Sequence, residues 1–226
     1  MRYKDETLTR FTERALVAIA RARAMHDPKV CISVGNKKMG RVLNVSTMPL
    51  ICCGNCSACR NYCYDVKAAL FRDTVMNARA RNTALAQDDL DEFVAQIKAK
   101  LTARRKRKAF RWHVGGDIIS EAYLRKMCET ALERPDWRFW TYTKMRDLVN
   151  SYIAKGGLIP ENLTILYSYD MNVPQDDNPY GMPIAYTVLE GDTPPAGLFE
   201  CPGNCEICLD LERGCPYGES VFFWEH

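Results

Sequence analysis

The 226-residue sequence lacks the features of a membrane or secreted protein. No stretch reaches the roughly 18 consecutive apolar residues of a membrane-spanning helix. The first ten residues, MRYKDETLTR, are charged where a secretion signal is apolar. We therefore expect a cytoplasmic protein with no export signal and no membrane association.

The sequence also has little net charge. Its 31 basic and 28 acidic side chains leave a formal charge of +3, which gives no general argument for nucleic-acid binding. The exception is the basic run ARRKRK at residues 103–108. It follows a predicted helix, whose C-terminal end favours cations, so a solvated helix end and a nucleic-acid contact both stay open.

Cysteine is abundant by contrast, with eleven residues. In a cytoplasmic protein this number favours metal ligands over disulfides, and an odd total cannot pair completely. Cys31 and Cys128 each lie singly in an apolar segment, so we expect both to be core thiols rather than ligands.

Five cysteines fall within the twelve residues 52–63, CCGNCSACRNYC. One register, C-x2-C-x2-C-x3-C, has the spacing of bacterial 4Fe-4S loops, although Tyr64 stands where those loops have proline. Four thiolates would ligate all four irons of such a cluster and leave none open to another ligand. The ligands in this register are Cys53, Cys56, Cys59 and Cys63.

A second register, C-x3-C-x2-C, uses Cys52, Cys56 and Cys59. Three thiolates would leave one iron open to a substrate or a cofactor. A zinc ion held by four thiolates accepts the same pairs, but five crowded thiols exceed what one zinc ion needs, so an iron–sulfur cluster is favoured.

A second group of thiols lies near the C-terminus, in CPGNCEICLDLERGC. Four cysteines in fifteen residues make a complete ligand set for one further centre, either zinc or a second cluster. The four residues are Cys201, Cys205, Cys208 and Cys215.

The rest of the chain alternates between predicted strands and helices, which is typical of a parallel α/β sheet. The chain is too short for a complete barrel of about 250 residues. We therefore expect a partial (open) βα barrel of about five to six mostly parallel strands, with an N-terminal helix and a C-terminal cysteine-rich metal-binding tail. Residues 1–190 would form the barrel domain and residues 191–226 a module packed on it.

The elements behind this expectation are read from hydrophobic periodicity. Helices are predicted over residues 5–25, over 64–86 without a break, after a cap at Asp88 or Asp89, after a cap at Ser120, and over 145–157. Strands are predicted over residues 29–35, 110–114, 138–144, 163–170, 182–190 and 218–226, and residues 35–49 are predicted to be a surface hairpin.

His113, one of three histidines, ends a predicted parallel strand, where α/β sheets keep their sites. A catalytic acid or base and a hydrogen-bonded structural histidine are both open readings of this residue.

The order of several motifs resembles a family of short, mostly uncharacterised proteins carried by phages and integrative mobile elements. The resemblance spans residues 30–226. The motifs are VSTMP (45–49), the cysteine loop ending in CYDVKAA (63–69), FRWHVGGDI (110–118), RFWTYTK (138–144), the C-terminal cysteines and GESVFFWEH (218–226).

The same layout is similar, more remotely, to the radical S-adenosylmethionine superfamily. There a cysteine loop follows the first strand, a Gly-Gly-Glu-Pro motif contacts the amino group of the cofactor, and an auxiliary cluster can follow the barrel. The resemblance implies a cofactor contact at Gly115, Gly116 and Asp117, although Asp and Ile replace Glu and Pro. It also implies a substrate near His113 or Lys144.

Two function classes therefore remain open. The first is an iron–sulfur enzyme of the radical type with one or two 4Fe-4S clusters and S-adenosylmethionine. The second is a metal-stabilised accessory protein of a mobile element, with zinc or iron–sulfur centres, that binds protein or contacts nucleic acid through residues 103–108.

Overall fold

The fold is taken from a computed structural model. It describes residues 3–34, 37–54, 56, 58–102, 106–170, 177–189 and 191–224. None of the described helices is long and apolar enough to cross a lipid bilayer.

Seven strands form one curled, open sheet, a half-barrel in which every strand pair is parallel. The order across the sheet is β1-β2-β3-β4-β5-β7-β6. The strands are β1 Leu43–Asn44, β2 Ala109–Arg111, β3 Arg138–Thr143, β4 Leu163–Asp170, β5 Ile184–Val188, β6 Phe199–Glu200 and β7 Val221–Trp224. The expected open, parallel barrel is confirmed, with more strands than the sequence predicted.

Two strands differ from the prediction. β1 falls inside residues 35–49, which were predicted to be a surface hairpin, but it pairs in parallel with β2. β6 precedes the C-terminal cysteines, where no strand was predicted. Both β6 and β7 belong to residues 191–224 and pair within the same sheet as the other strands.

The strand predicted over residues 29–35 is wrong for the part that the structure describes, which makes one isolated antiparallel bridge, Ser33 to Asn44. Two residues earlier, the backbone N–H of Cys31 donates to the side-chain oxygen of Asn82 at 2.7 Å, and the Asn82 side-chain amide donates to the Cys31 carbonyl at 3.0 Å. A side chain thus provides the hydrogen bonds that a neighbouring strand would otherwise provide. Residue 35 lies outside the described residues.

The helices follow the predicted order, with one break. The helix predicted over residues 64–86 is divided at Arg72, whose backbone is extended. The helices are α1 Asp5–Arg23, α2 Tyr64–Phe71, α3 Asp73–Asp88, α4 Leu90–Lys98, α5 Glu121–Leu132, α6 Arg146–Ala154 and α7 Cys205–Asp210. Asp89 and Ser120 cap α4 and α5 by accepting hydrogen bonds from Glu92 N and Tyr123 N.

The helices cover one face of the sheet, here called the outer face. Alternate residues of β2 and β3, such as Phe110 and Phe139, point to this face and pack among apolar residues of α4, α5 and α6. Cys128 of α5 is buried in this core, as expected. A second core joins α1 to α3 beside the cysteine loop.

The opposite, inner face of the sheet is covered by the C-terminal cysteine segment. Side chains such as Trp140 and Leu166 point to this face. They pack against Met39, Val42 and the segment that carries α7 and the 3₁₀ turn Cys215–Tyr217. The second group of thiols therefore lies against the inner face of the half-barrel.

Candidate functional site

The cysteine loop follows β1 at the carboxyl-terminal edge of the sheet. The sulfur atoms of Cys56 and Cys59 are 3.5 Å apart. The adjacent Cys53 thiol, with burial and the charge of Cys63, raises the pKa of Cys56 to about 12. The structure therefore brings Cys53, Cys56, Cys59 and Cys63 into one neighbourhood, here called the N-terminal thiol group.

Cys63 lies at the start of α2. Burial raises the pKa of its thiol to about 11, and the backbone N–H groups of Val66 and Asp65 oppose the rise. The same N–H groups would stabilise a thiolate or an anionic cluster bound here. On the other side, the hydroxyl of Tyr3 donates to the Cys63 carbonyl at 3.2 Å and so attaches the loop to the chain before α1.

Cys52 faces away from the N-terminal thiol group. It is 2% exposed, and its sulfur is 3.6 Å from the Thr83 hydroxyl of α3. That hydroxyl in turn accepts a 2.7 Å hydrogen bond from the backbone of Met48. Cys52 thus packs as a core thiol between the loop and α3.

The C-terminal thiol group comprises Cys201, Cys205, Cys208 and Cys215. Cys201 follows β6 directly, α7 carries the next two residues, and the 3₁₀ turn carries the last. Burial, with the charges of Cys201 and Cys205, raises the pKa values of Cys208 and Cys215 to about 12 each. Cys201 and Cys205 therefore lie close enough to Cys208 and Cys215 to act on both electrostatically.

Within the described residues, no three Cys, His, Asp or Glu side chains already stand in a metal-binding arrangement. The donor chemistry nevertheless suits thiophilic metals, because each group supplies four thiols, which such metals prefer to the neighbouring carboxylates Asp65 and Glu219. Metal binding would then draw the four sulfur atoms of each group together.

The C-terminal thiol group is surrounded by residues that the sequence reasoning did not select. The hydroxyl of Tyr142 is 2.8 Å from the sulfur of Cys215, and the sulfur of Met39 is 3.7 Å from that of Cys205. The guanidinium of Arg111 stacks on the Tyr142 ring at 4.5 Å. The sequence signal for these residues was weak: Arg111 and Tyr142 are polar residues in β2 and β3, whose neighbouring residues are mostly apolar.

His113 is buried on the outer side of the sheet. Its Nδ1 is 3.0 Å from the Thr141 hydroxyl and its Nε2 is 3.0 Å from the Tyr123 hydroxyl. Burial and the charge of Arg111 lower the pKa of His113 to about 3, so the ring is neutral. These contacts favour the structural interpretation of His113 over the acid–base one.

The glycine pair after β2 is packed against side chains of the protein. An added Cβ at Gly115 would lie 1.7 Å from an Asp65 carboxylate oxygen, and one at Gly116 would lie 1.9 Å from the Thr47 hydroxyl. Asp65 forms a buried ion pair with Arg79 at 3.0 Å. The space beside both glycines is thus filled by the protein itself.

Asp117 and Lys144 meet at the ends of β2 and β3. The Asp117 carboxylate accepts hydrogen bonds from the Thr143 hydroxyl at 2.6 Å, the Lys144 backbone at 2.9 Å and the Ile118 backbone at 2.7 Å. Asp117 therefore ties the two strand ends together.

The basic run is only partly visible, since residues 103–105 lie outside the described residues. Arg107 forms ion pairs with Asp210 at 3.0 Å and Glu206 at 3.4 Å, and Lys108 pairs with Asp136 at 2.5 Å. Two cations of the run are thus neutralised by carboxylates of the same chain.

Comparison with known proteins assigns the chain to a family. The family model described as Gene product 88 matches residues 32–186, which is more than half of the sequence. The chain belongs to the Gene product 88 family. The match includes the N-terminal thiol group, His113 and Asp117, and it ends before the C-terminal thiol group.

A relative in this family is the Gene 88 protein of Mycobacterium phage L5, which is 28% identical over 160 residues. The alignment covers 65% of this chain and 66% of the relative, so the chain spans about two thirds of that protein. No solved structure matches the chain. The expected resemblance to phage proteins is confirmed, and the comparisons do not extend it to radical S-adenosylmethionine enzymes.

Gly115→Ala is expected to destabilise the protein by about 2–4 kcal/mol, because the new methyl group would displace Asp65 from its buried pair with Arg79. Gly54→Ala is the matched control, since its methyl group would meet only the flexible end of Met145 at 2.9 Å. Chemical denaturation of both variants measures the difference. Equal stability of the two variants would contradict the packing described for Gly115.

Asp117 gives a prediction about pH. Burial raises the pKa of the Asp117 carboxyl from 3.8 to about 6. Between these two pH values the carboxyl is protonated in the folded state and ionised in the unfolded state. Stability contributed by this proton is present below about pH 4 and is lost as pH rises through about 6, by roughly 3 kcal/mol. Asp117→Asn removes this contribution.

Unfolding by urea at pH 5 and pH 7.5 measures the effect as a difference between Asp117→Asn and wild type, so that other titrating groups cancel. The amide oxygen introduced by this substitution can still accept from Thr143 and Ile118, while the hydrogen bond from the Lys144 backbone is lost. We expect wild type to lose stability relative to the variant as pH rises. A constant difference at both pH values would show that Asp117 does not titrate in this range.

Proposed function

We propose that this phage-family protein is an iron–sulfur protein whose N-terminal centre is closed by four thiolates and whose C-terminal thiol group holds a second metal centre. The grouping of thiols in the cysteine loop carries the proposal. Cys53, Cys59 and Cys63 all act on Cys56, while Cys52 packs against α3. The four grouped positions have the spacing of a 4Fe-4S loop.

The electrostatics of the loop support an anionic cluster. A 4Fe-4S cluster with four thiolates carries net negative charge, and Cys63 stands at the start of α2, where backbone N–H groups point toward the loop. When bound, such a cluster supplies one-electron transfer. The chain's own contribution is to hold the four thiols.

This proposal leaves no iron for S-adenosylmethionine at the N-terminal centre. The open register would require Cys52 as a ligand, but its thiol lies in the core at 2% exposure. The positions that the radical-enzyme resemblance assigns to the cofactor, Gly115 and Gly116, face Asp65 and Thr47. A cluster that transfers electrons or stabilises the fold therefore agrees better with these contacts than a radical enzyme does.

A structural zinc protein is the second candidate, and one distance favours it. Two thiolates on one tetrahedral zinc ion lie about 3.8 Å apart, given zinc–sulfur bonds of about 2.3 Å. The Cys56 and Cys59 sulfur atoms are 3.5 Å apart. In this case the protein is an accessory protein that binds another macromolecule. The ion pairs of Arg107 and Lys108 weaken the basic run as a nucleic-acid contact.

Anaerobic purification of the full chain separates the two candidates. An iron–sulfur protein is expected to be brown, with broad visible absorption and matching iron and sulfide contents. A colourless protein with stoichiometric zinc at both thiol groups would contradict the first candidate and support the second.

Single Cys→Ser variants test the closed register directly. Cys63→Ser is expected to remove most of the iron at the N-terminal centre, because it deletes one of four ligands. Cys52→Ser, the matched control in the same loop, is expected to keep the wild-type iron content. Iron and sulfide analysis of the anaerobically purified variants is the measurement. The reverse ranking would establish the open three-thiolate register and favour a radical enzyme.

A further inference from the structure

Arg111 of β2 extends its side chain over the inner face of the sheet, where it contacts Met39 and Tyr142. Its Nε atom is buried and has no hydrogen-bond partner. Its Nη1 atom contacts the Met39 sulfur at 3.6 Å, and its guanidinium stacks on the Tyr142 ring at 4.5 Å. Among the ion pairs of the described residues, none includes Arg111.

Two other guanidinium groups that are mostly buried have an acidic partner. Arg79 pairs with Asp65 at 3.0 Å, and Arg146 pairs with Asp177. A buried charge is costly unless an opposite charge compensates for it. The inner face therefore presents a fixed positive charge that no carboxylate of the described residues pairs with.

The atoms next to Arg111 lead to the C-terminal thiol group. Met39, which contacts Nη1, also lies 3.7 Å from the Cys205 sulfur. Tyr142, which stacks on the guanidinium, lies 2.8 Å from the Cys215 sulfur through its hydroxyl. Met39 and Tyr142 thus each contact both Arg111 and one of these two thiols.

A second cation stands on the same side. The Lys38 carbonyl accepts a 2.8 Å hydrogen bond from the backbone N–H of Cys205, which places this residue directly beside the start of α7. The Lys38 amino group lies 5.9 Å from the centre of the Tyr64 ring. The C-terminal thiol group is thus next to one arginine and one lysine.

We propose that Arg111 and Lys38 are the counter-charges of an anionic metal centre formed by Cys201, Cys205, Cys208 and Cys215. Four thiolates bring four negative charges, and a divalent zinc ion or an oxidised 4Fe-4S core returns two positive charges. The centre keeps a double negative charge, which one arginine and one lysine balance. The inference rests on the part of the proposed function that assigns metal to these thiols.

The test compares metal retention at the C-terminal centre in full-length Cys63→Ser protein, in which the N-terminal centre is disabled. Arg111→Met removes the charge while keeping a long side chain that can lie on Tyr142, and Arg111→Lys restores the charge. Arg107→Met is the matched control, because Arg107 pairs with Asp210 and Glu206 of the same helix α7 but stands outside the thiol contacts described here. The readout is the concentration of a competing chelator that removes half of the bound zinc or iron.

Arg111→Met is expected to release its metal at a chelator concentration roughly 10- to 100-fold lower than the parent protein, the usual effect of losing a residue that supports the ligands. Arg111→Lys is expected to recover most of the affinity, and Arg107→Met to match the parent. Equal affinity of Arg111→Met and Arg107→Met would overturn the inference while leaving the metal centre itself in place.

Two further outcomes are distinguishable. If the Cys63→Ser protein holds neither zinc nor iron with Arg111 intact, the assignment of metal to the C-terminal thiols is wrong, and the inference with it. If Arg111→Met does not fold, Lys38→Met is measured in the same way, and wild-type metal affinity in that variant contradicts the proposed charge balance.

Discussion

A half-barrel leaves the inner face of its sheet uncovered by helices, and here a short cysteine segment covers it. The outer face packs on α4, α5 and α6 through large apolar side chains. The inner face packs on α7 and one 3₁₀ turn, with Cys205 and Cys215 among the apolar contacts. Helices this short cannot order themselves, so the closure of the inner face depends on what holds the C-terminal thiols together.

The chain separates two kinds of cysteine by their surroundings. Cys52 and Cys128 are both buried. The Cys52 sulfur contacts the Thr83 hydroxyl, and Cys128 packs in the apolar core of the outer face. The eight cysteines of the two thiol groups lie in turns and short helices, where neighbouring thiols act on one another. A metal at each group would convert a repulsive set of thiolates into a cross-link, which is the general way that metals stabilise short loops.

Much of the fold could be predicted from the sequence, because the hydrophobic periodicity of a long segment distinguishes a helix from a strand. The strand at residues 163–170 was predicted with the bounds it has, and the caps at Asp89 and Ser120 act as their side chains indicate. The short strands β1 and β6 could not be predicted, because two residues carry no periodicity. The wrong strand over residues 29–35 has apolar residues that are only partly buried, and its backbone is satisfied by Asn82.

The candidate site divides in the same way. Cysteine spacing identified both thiol groups, but it could not decide between Cys52 and Cys63, because that choice depends on which way each side chain points in the loop between β1 and α2. Spacing also could not reveal Arg111, Met39 or Tyr142, since their proximity to the C-terminal thiols arises from three separate segments meeting on the inner face.

If metal at the two thiol groups is part of the fold, its complete removal must change thermal unfolding. Circular dichroism of the anaerobically purified full chain, with metal content verified before and after removal, is the measurement. We expect the metal-free protein to melt at a clearly lower temperature or to lose its cooperative transition. An unchanged melting temperature after complete removal of metal would contradict this expectation.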